Sequence, residues 1–137
     1  MGDRHGPMRT GLFKVEIDGV EVPGWQYVNI PAISTEPDGG GWGETTRQDL
    51  EAGRGMAPGD TQLHDWNEAV IEGDEEDGLK TFVVILMDEE GAPQVEWTFE
   101  EAWITYYQPP QLDATADGQI AMERISLAYE SMDRQEA

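Results

Sequence analysis

At 137 residues the chain is long enough for one domain with a full core and too short for two. Its formal charge of -21 comes from 29 acidic against 8 basic side chains, which excludes the basic patch that nucleic-acid phosphates require. There is no cysteine, so disulfide, thiolate and zinc-thiolate chemistry are excluded as well.

Residues 1–10 read as a short flexible tail on a single domain that spans 1–137. From Gly11 to Ile17 the chain alternates, with Phe13, Val15 and Ile17 on one face and Lys14 and Glu16 on the other. Asp18-Gly19 is a two-residue hairpin signal, and Val20-Glu21-Val22 begins the return. Pro23-Gly24 interrupts that return and predicts a bulge at a sheet edge, after which Trp25 to Ile30 resumes an extended pattern.

Between Ser34 and Gly59 apolar residues thin out and glycine becomes frequent, at positions 39, 40, 41, 43, 53, 55 and 59. A segment with so little to bury is either mobile or an arm that packs outside its own subunit. Trp42 among the glycines favours the arm, expected over 34–49, because an exposed Trp in a floppy loop has little reason to be there. Asp60 or Thr61 then caps a helix expected over 61–72, ended by Gly73. Leu63, Trp66 and Val70 form its apolar stripe. It is the one helix predicted, and Glu72 to Asp77 is read as an acidic loop.

The longest apolar run, Phe82 to Met87, reads as a strand covered on both faces. Asp88-Glu89-Glu90-Gly91 turns the chain, and the return strand places Val95, Trp97 and Phe99 opposite Gln94, Glu96 and Thr98. A doubly covered strand beside a singly covered one suggests that another chain covers the second face. Whether that face carries Phe82, Val84 and Leu86 or Val83, Ile85 and Met87 is left open by the pattern. Glu100-Glu101-Ala102 connects to a third strand, Trp103 to Tyr107, and Pro109-Pro110 ends it. A polar loop runs from Gln111 to Gly118, closed by Asp117-Gly118. The last strand, Gln119 to Glu130, changes phase, and a bulge near Glu123-Arg124 is expected to account for it. Residues after Ser131 read as a frayed polar end.

Candidate chemistry is sparse. His5 and His64 are the two histidines, and Asp65 points to a different helix face from His64, so a solvated His on a charged helix is favoured over a metal ligand. Asp74-Glu75-Glu76-Asp77 lacks the spacing of a calcium loop. Asp38-Gly39-Gly40-Gly41-Trp42-Gly43 lacks the Lys-Ser/Thr and the strand-to-helix setting of a phosphate loop. With 29 acids, no carboxylate pair is informative, and no Ser-His-acid set is present. No enzyme activity, cofactor or metal is therefore expected. Trp66, Trp97, Phe99 and Trp103 are assigned with Leu63 and Val70 to the core.

The acidity itself has two readings. A disordered acidic chain would lack aromatics, whereas this one carries 5 Trp, 4 Tyr and 3 Phe within clear strand patterns. A folded protein of a salt-rich cytoplasm fits better, because the Debye length is roughly 3 Å at 1 M salt and self-repulsion is screened. The N-terminus opens no apolar signal segment, and no run approaches the ~20 residues of a membrane helix. Synthesis in the cytoplasm without a membrane anchor is the expectation.

Several stretches together carry a resemblance over Phe13 to Met132. FKVEIDGVEVPGW looks like an opening hairpin, and GETTRQDLEAGRG with GDTQLHDW like an arm, a second-sheet strand and a helix start. TFVVILMDEEGAPQVEWTF and EEAWITYYQPPQLDATADGQIAMERISLAYESM look like a hairpin, an aromatic strand, a Pro/Asp/Ala loop and a closing strand. In this order they resemble the tail tube proteins of contractile phage tails, T4-like phages among them, and of contractile injection systems, which share a fold with the type VI ring protein. A halophilic archaeon or its virus would be the expected source.

The resemblance implies an all-β fold with one α-helix: an antiparallel β-sandwich or partly open barrel with a long arm loop. It implies homohexameric rings stacked into a tube inside a contractile sheath, with the sheath protein and the baseplate and tube-initiator proteins as partners and an effector or DNA in the lumen. Glu36, Asp38, Gly39, Gly40, Gly41, Trp42 and Arg47 fall on the inter-subunit arm. Phe82, Val83, Val84, Ile85 and Leu86 fall on the sheet that serves assembly. The alternatives are a baseplate tube-initiator forming one ring and, from another class, a small β-barrel binding module. Leu50-Glu51-Ala52-Gly53-Arg54 departs from the family's apolar alternation.

Overall fold

The computed structural model describes residues 8–38, 41–115 and 118–136, with the backbone alone for 36–38 and 41–46. The elements in chain order are β1 (Phe13–Ile17), β2 (Val20–Val22), β3 (Trp25–Asn29), β4 (Ile33–Asp38), β5 (Gly41–Arg47), β6 (Leu50–Gly55), α1 (Gln62–Ile71), α2 (Glu75–Gly78), β7 (Lys80–Met87), β8 (Pro93–Gln108), β9 (Met122–Ala128) and β10 (Ser131–Glu136). Most of the predicted tail, and Asp117 of the expected loop-closing pair, lie outside the described residues.

Asp18 and Gly19 both have positive φ, 52° and 82°, which is the two-residue turn whose twist matches a hairpin. The sheet order is β2-β1-β7-β8-β9-β6-β3, antiparallel throughout, with β10 added on β8. Its two edge strands, β2 and β3, are consecutive in the chain and joined by Pro23-Gly24. Two linking residues reach only ~10 Å, so the sheet must curl until its edges meet. Pro23-Gly24 is therefore a crossing between opposite edges of the sheet, where a bulge in a returning strand was expected. The curl brings Trp25 of β3 edge-on against Phe82 of β7, with ring centroids 5.8 Å apart. No ladder joins β2 to β3, so the barrel stays partly open.

Residues 93–108 form one strand, where a hairpin return and a separate third strand were expected. β8 pairs with β7 as far as Ala102, with β10 as far as Glu100, and with β9 from Trp103 onward. The switch falls at Glu101, whose φ of 49° lies in the left-handed region. The opposite chain turns at the same level: Glu130 N donates to Glu100 O at 2.9 Å, and β10 takes over from β9. The residues after Ser131 are thus an edge strand rather than a frayed end. The ladder between β6 and β9 runs without a register shift, so the bulge expected near Glu123 does not exist. The irregularity lies in β8, between Ile104 and Tyr106. The change of phase has another cause: Glu123 points inward, in line with Ile125 and Leu127.

A second helix replaces part of the expected acidic loop. Asp74 accepts hydrogen bonds from the amides of Glu76 and Asp77 and so caps α2. α1 begins at Gln62, whose amide is capped by Asp60 at 3.2 Å. Leu63 and Trp66 of α1 are buried, and Trp66 stacks on Phe82 and donates from Nε1 to Gly78 O at 2.8 Å. Phe82 in turn meets Phe99, and Phe99 meets Tyr129, both edge-on. This aromatic series runs through the core from the helix to the crease.

Cross-strand register settles which face of β7 is which. Ile17, Phe82, Phe99 and Met132 form one inward row; Val22, Val15, Val84 and Trp97 form the next. On the outer face, Lys14, Ile85, Glu96 and Gln135 share a row, as do Glu16, Val83, Thr98 and Asp133.

One polar cluster is built into the core. β6, in which apolar alternation fails, lies inside the sheet between β3 and β9, and its Arg54 is 1% exposed. Arg54 Nη2 sits 2.9 Å from Asp60 Oδ1, and Nε sits 3.5 Å from Glu123 Oε1. Tyr107 Oη donates to Glu123 Oε2 at 2.6 Å, and the Trp25 ring covers the guanidinium at 5.9 Å. The Arg54 hydrogen bond holds the Asp60 carboxyl below its usual range, while burial and Glu123 push the Tyr107 phenol up to about 12. The cluster ties β6, β8, β9 and the start of α1 together.

Two predictions follow from these placements. Val84→Asp puts a carboxylate in the core and should cost more than ~3 kcal/mol, whereas Val83→Asp, on the outer face, should cost under ~1 kcal/mol, both read from thermal melts of the subunit. Arg54→Met strands the buried Glu123 carboxylate and should cost about 3–5 kcal/mol, and adding Glu123→Leu should recover most of that loss in denaturant titrations. A double variant no more stable than Arg54→Met alone would contradict the proposed pairing.

Candidate functional site

The described residues hold no group of three or more His, Cys, Asp or Glu placed to bind a metal ion. His64 is exposed, edge-on to Tyr107 at 6.5 Å, and Asp65 accepts from Thr61 Oγ1 instead of turning toward it. A groove of about 470 Å³ opens between the β1–β2 hairpin, α1 and α2, floored by Ile17, Val20, Trp66 and Ala69. Its rim carries Asp18, Asp65, Glu68, Glu72, Asp74 and Asp77 against Lys80 alone. Asp18 and Asp74 already serve as backbone caps. The one cation lining the groove, Lys80, is paired with Asp18 at 3.8 Å, and the other charged groups there are carboxylates.

The arm is a hairpin, in which β4 and β5 pair with each other from Ile33↔Arg47 to Asp38↔Gly41. This two-stranded sheet is separate from the eight-stranded one, and no ladder among the described residues joins them. A two-stranded hairpin alone is marginal in water. Ile33, at its root, is 49% exposed. Of the arm residues singled out in the sequence, Gly39 and Gly40 lie outside the described residues. Glu36, Asp38, Gly41 and Trp42 are described by backbone only, within β4 and β5, and Arg47 is exposed at the end of β5.

The run on β7 divides between two environments. Phe82 and Val84 belong to the buried core, with Leu86 half-buried in an inward row. Val83 and Ile85 face outward. Ile85 is only 4% exposed in the single chain, flanked across the strands by Lys14 and Glu96. Long charged side chains can cover apolar surface with their stems. The outer face is thus partly sheltered without any partner, which the uninterrupted apolar run did not convey.

Leu63, Trp66 and Phe99 lie in the core cluster, and Val70 and Trp97 pack against it half-buried. Trp103 does not join them. It sits between the inward Ala102 and Ile104 and faces out opposite Ala128. Sequence reasoning also missed an exposed apolar group at one end of the barrel. Met56 N bonds Ala121 O at 2.9 Å just past the β6–β9 ladder, and Met56 and Ile120 near it are both exposed. Cations are few and locally engaged: Arg9 with Glu89 at 2.8 Å, Lys80 with Asp18 at 3.8 Å and Arg134 with Glu136 at 2.9 Å. The carboxylates in excess face solvent.

Comparisons with known proteins agree with this geometry. The family profile of the T4-like virus tail tube protein gp19 matches residues 9–133. No curated protein sequence matches the chain significantly. The fold is similar to a chain of the PVC sheath–tube complex, an extracellular contractile injection system in its extended state, at TM-score 0.75 and 23% identity over 98% of this chain and 95% of that one. It is similar to a chain of the anti-feeding prophage tube-terminating cap, at TM-score 0.73 and 23% identity over 100% and 96%. It is also similar to Hcp1 from Flavobacterium johnsoniae, at TM-score 0.65 and 18% identity over 92% and 99%. With the profile spanning nearly the whole chain, the protein belongs to the T4-like virus tail tube protein family and is a structural subunit of an inner tube, not an enzyme.

Proposed function

We propose that the chain forms hexameric rings that stack into the rigid inner tube of a contractile injection system or phage-like tail. The observation that carries this reading is the β4–β5 hairpin, a marginal two-stranded sheet that no ladder among the described residues joins to the eight-stranded sheet. Docking on a second copy would give the hairpin the further packing that a two-stranded sheet needs. Glu36, Asp38 and Trp42 travel with it. Val83 on the outer face of β7, and the exposed Met56 and Ile120, supply further apolar contact area. Sheath protein and baseplate or tube-initiator proteins are the partners, and an effector or DNA occupies the lumen. Sheath contraction then drives the conduit through a target envelope.

A second reading, a tube initiator that makes a single ring, is favoured by one observation. Likeness extends to a chain of the anti-feeding prophage baseplate, at TM-score 0.70 and 18% identity. Length of assembly separates the two.

Charge sets the conditions. Each subunit brings a formal -21, so a hexamer concentrates six times that charge in one ring. Such a ring closes where salt shortens the Debye length to roughly 3 Å, near 1 M. We therefore assign the protein to a salt-rich cytoplasm.

Electron microscopy of the purified protein across a KCl series should show rings or tubes at molar salt that dissociate on dilution to low salt. Tubes support the inner-tube reading and single rings the initiator. Monomers at every salt concentration contradict both, and tubes equally abundant at low salt contradict the salt requirement.

A further inference from the structure

We propose that Tyr129 and Thr105 are positioning residues for the arm, latching its second leg to the barrel so that its angle is set before a second copy is met. This rests on the reading that the arm docks on another subunit.

The arm leaves the body on two legs. On the first, Ile30 packs half-buried against the core and Pro31 restricts the backbone. The second, Gln48 and Asp49, lies between β5 and β6 with no strand partner of its own. Two side chains from the body take hold of it. Tyr129 Oη donates to Gln48 O at 2.8 Å, and Thr105 Oγ1 donates to Asp49 Oδ2 at 2.9 Å.

Both donors are placed by the body of the fold. The Tyr129 ring packs edge-on against Phe99 at 5.1 Å, the last contact of the aromatic series that begins at Trp66. Its hydroxyl is thus placed by the core itself. Burial pushes this phenol up, against the neighbouring Arg47, so it remains a neutral donor. Thr105 is the residue at which the β8–β9 register shifts, with Ile104 opposite Leu127 and Tyr106 opposite Ser126. A bulge of this kind re-aims a side chain. Here it turns Thr105 toward the arm root, with Ser126 O at 3.3 Å as its alternative acceptor. The crease and the bulge of β8 therefore converge on one leg.

The test uses Tyr129→Phe, Thr105→Val, their combination, and a chain in which residues 34–46 are replaced by Gly-Ser-Gly. The wild-type chain has no cysteine, so cysteines introduced at Thr45 and Glu68 accept a unique pair of spin labels. In the unassembled subunit, each latch variant should broaden the label-to-label distance distribution while the melting temperature stays within a few degrees. Each should raise the critical concentration for assembly about fivefold, as expected for one lost hydrogen bond, and the pair more than either alone. Should Tyr129→Phe loosen the core, Thr105→Val, at an exposed position, carries the test. Unchanged distances and critical concentration in the latch variants, with the arm-deleted chain unable to assemble, overturn the latch and leave the arm reading intact. Assembly of the arm-deleted chain at the wild-type concentration overturns the arm reading and the latch with it.

Discussion

A strand that changes neighbours halfway along cannot stay flat, and most of this molecule is arranged around that fact. β8 pairs with β7 and β10 in its first half and with β9 in its second. The change of partners demands a crease, taken up by Glu101 at φ 49° on one side and by the step from Tyr129 to Glu130 on the other. A left-handed non-glycine residue is costly, and such strain persists where surrounding pairing over-determines it. Here long ladders on either side do so. Across the crease the two halves of the sheet face each other, with the aromatic series from Trp66 to Tyr129 in the core and α1 packed through Trp66 on Phe82. Pro23-Gly24 then needs only two residues to connect opposite edges.

How much of this is written in the sequence depends on how local the signal is. The Asp18-Gly19 turn and the alternation of β1 and early β8 need only neighbouring residues and are legible. β6 is not, because Arg54 occupies an inward position that only makes sense beside Glu123, 69 residues away. The same pair accounts for the phase of β9, since an inward Glu read alone looks like a slip in the pattern. β10 is polar because it is an exposed edge that contributes Met132 to the core and little else. α2 consists of four residues whose acidic composition reads as loop until Asp74 is seen capping it. The apolar run of β7 does not show how far its outer face is sheltered within the chain, because residue type says nothing about Lys14 and Glu96 lying opposite Ile85.

For the candidate assembly surfaces the division is similar. Glycine content and a lone Trp mark the arm segment, since they record what the segment cannot bury. They do not reveal that it forms an ordered ladder, nor that Thr105 and Tyr129 reach its root from 56 and 81 residues away. Charge is the most legible feature of all, and it acts against every proposed contact between copies. Assembly then requires short-range apolar and backbone contacts to outweigh a long-range repulsion that salt removes. Those two forces have different reach, and salt acts on only one of them.

The most direct measurement is a cryo-EM reconstruction of the particle assembled at molar salt, at a resolution that traces side chains. The account predicts a ring of six subunits in which the β4–β5 hairpin of each lies on a neighbouring copy, with its root still bonded to Tyr129 and Thr105. A reconstruction in which the hairpin folds back on its own subunit, or reaches solvent without touching a second copy, would contradict it.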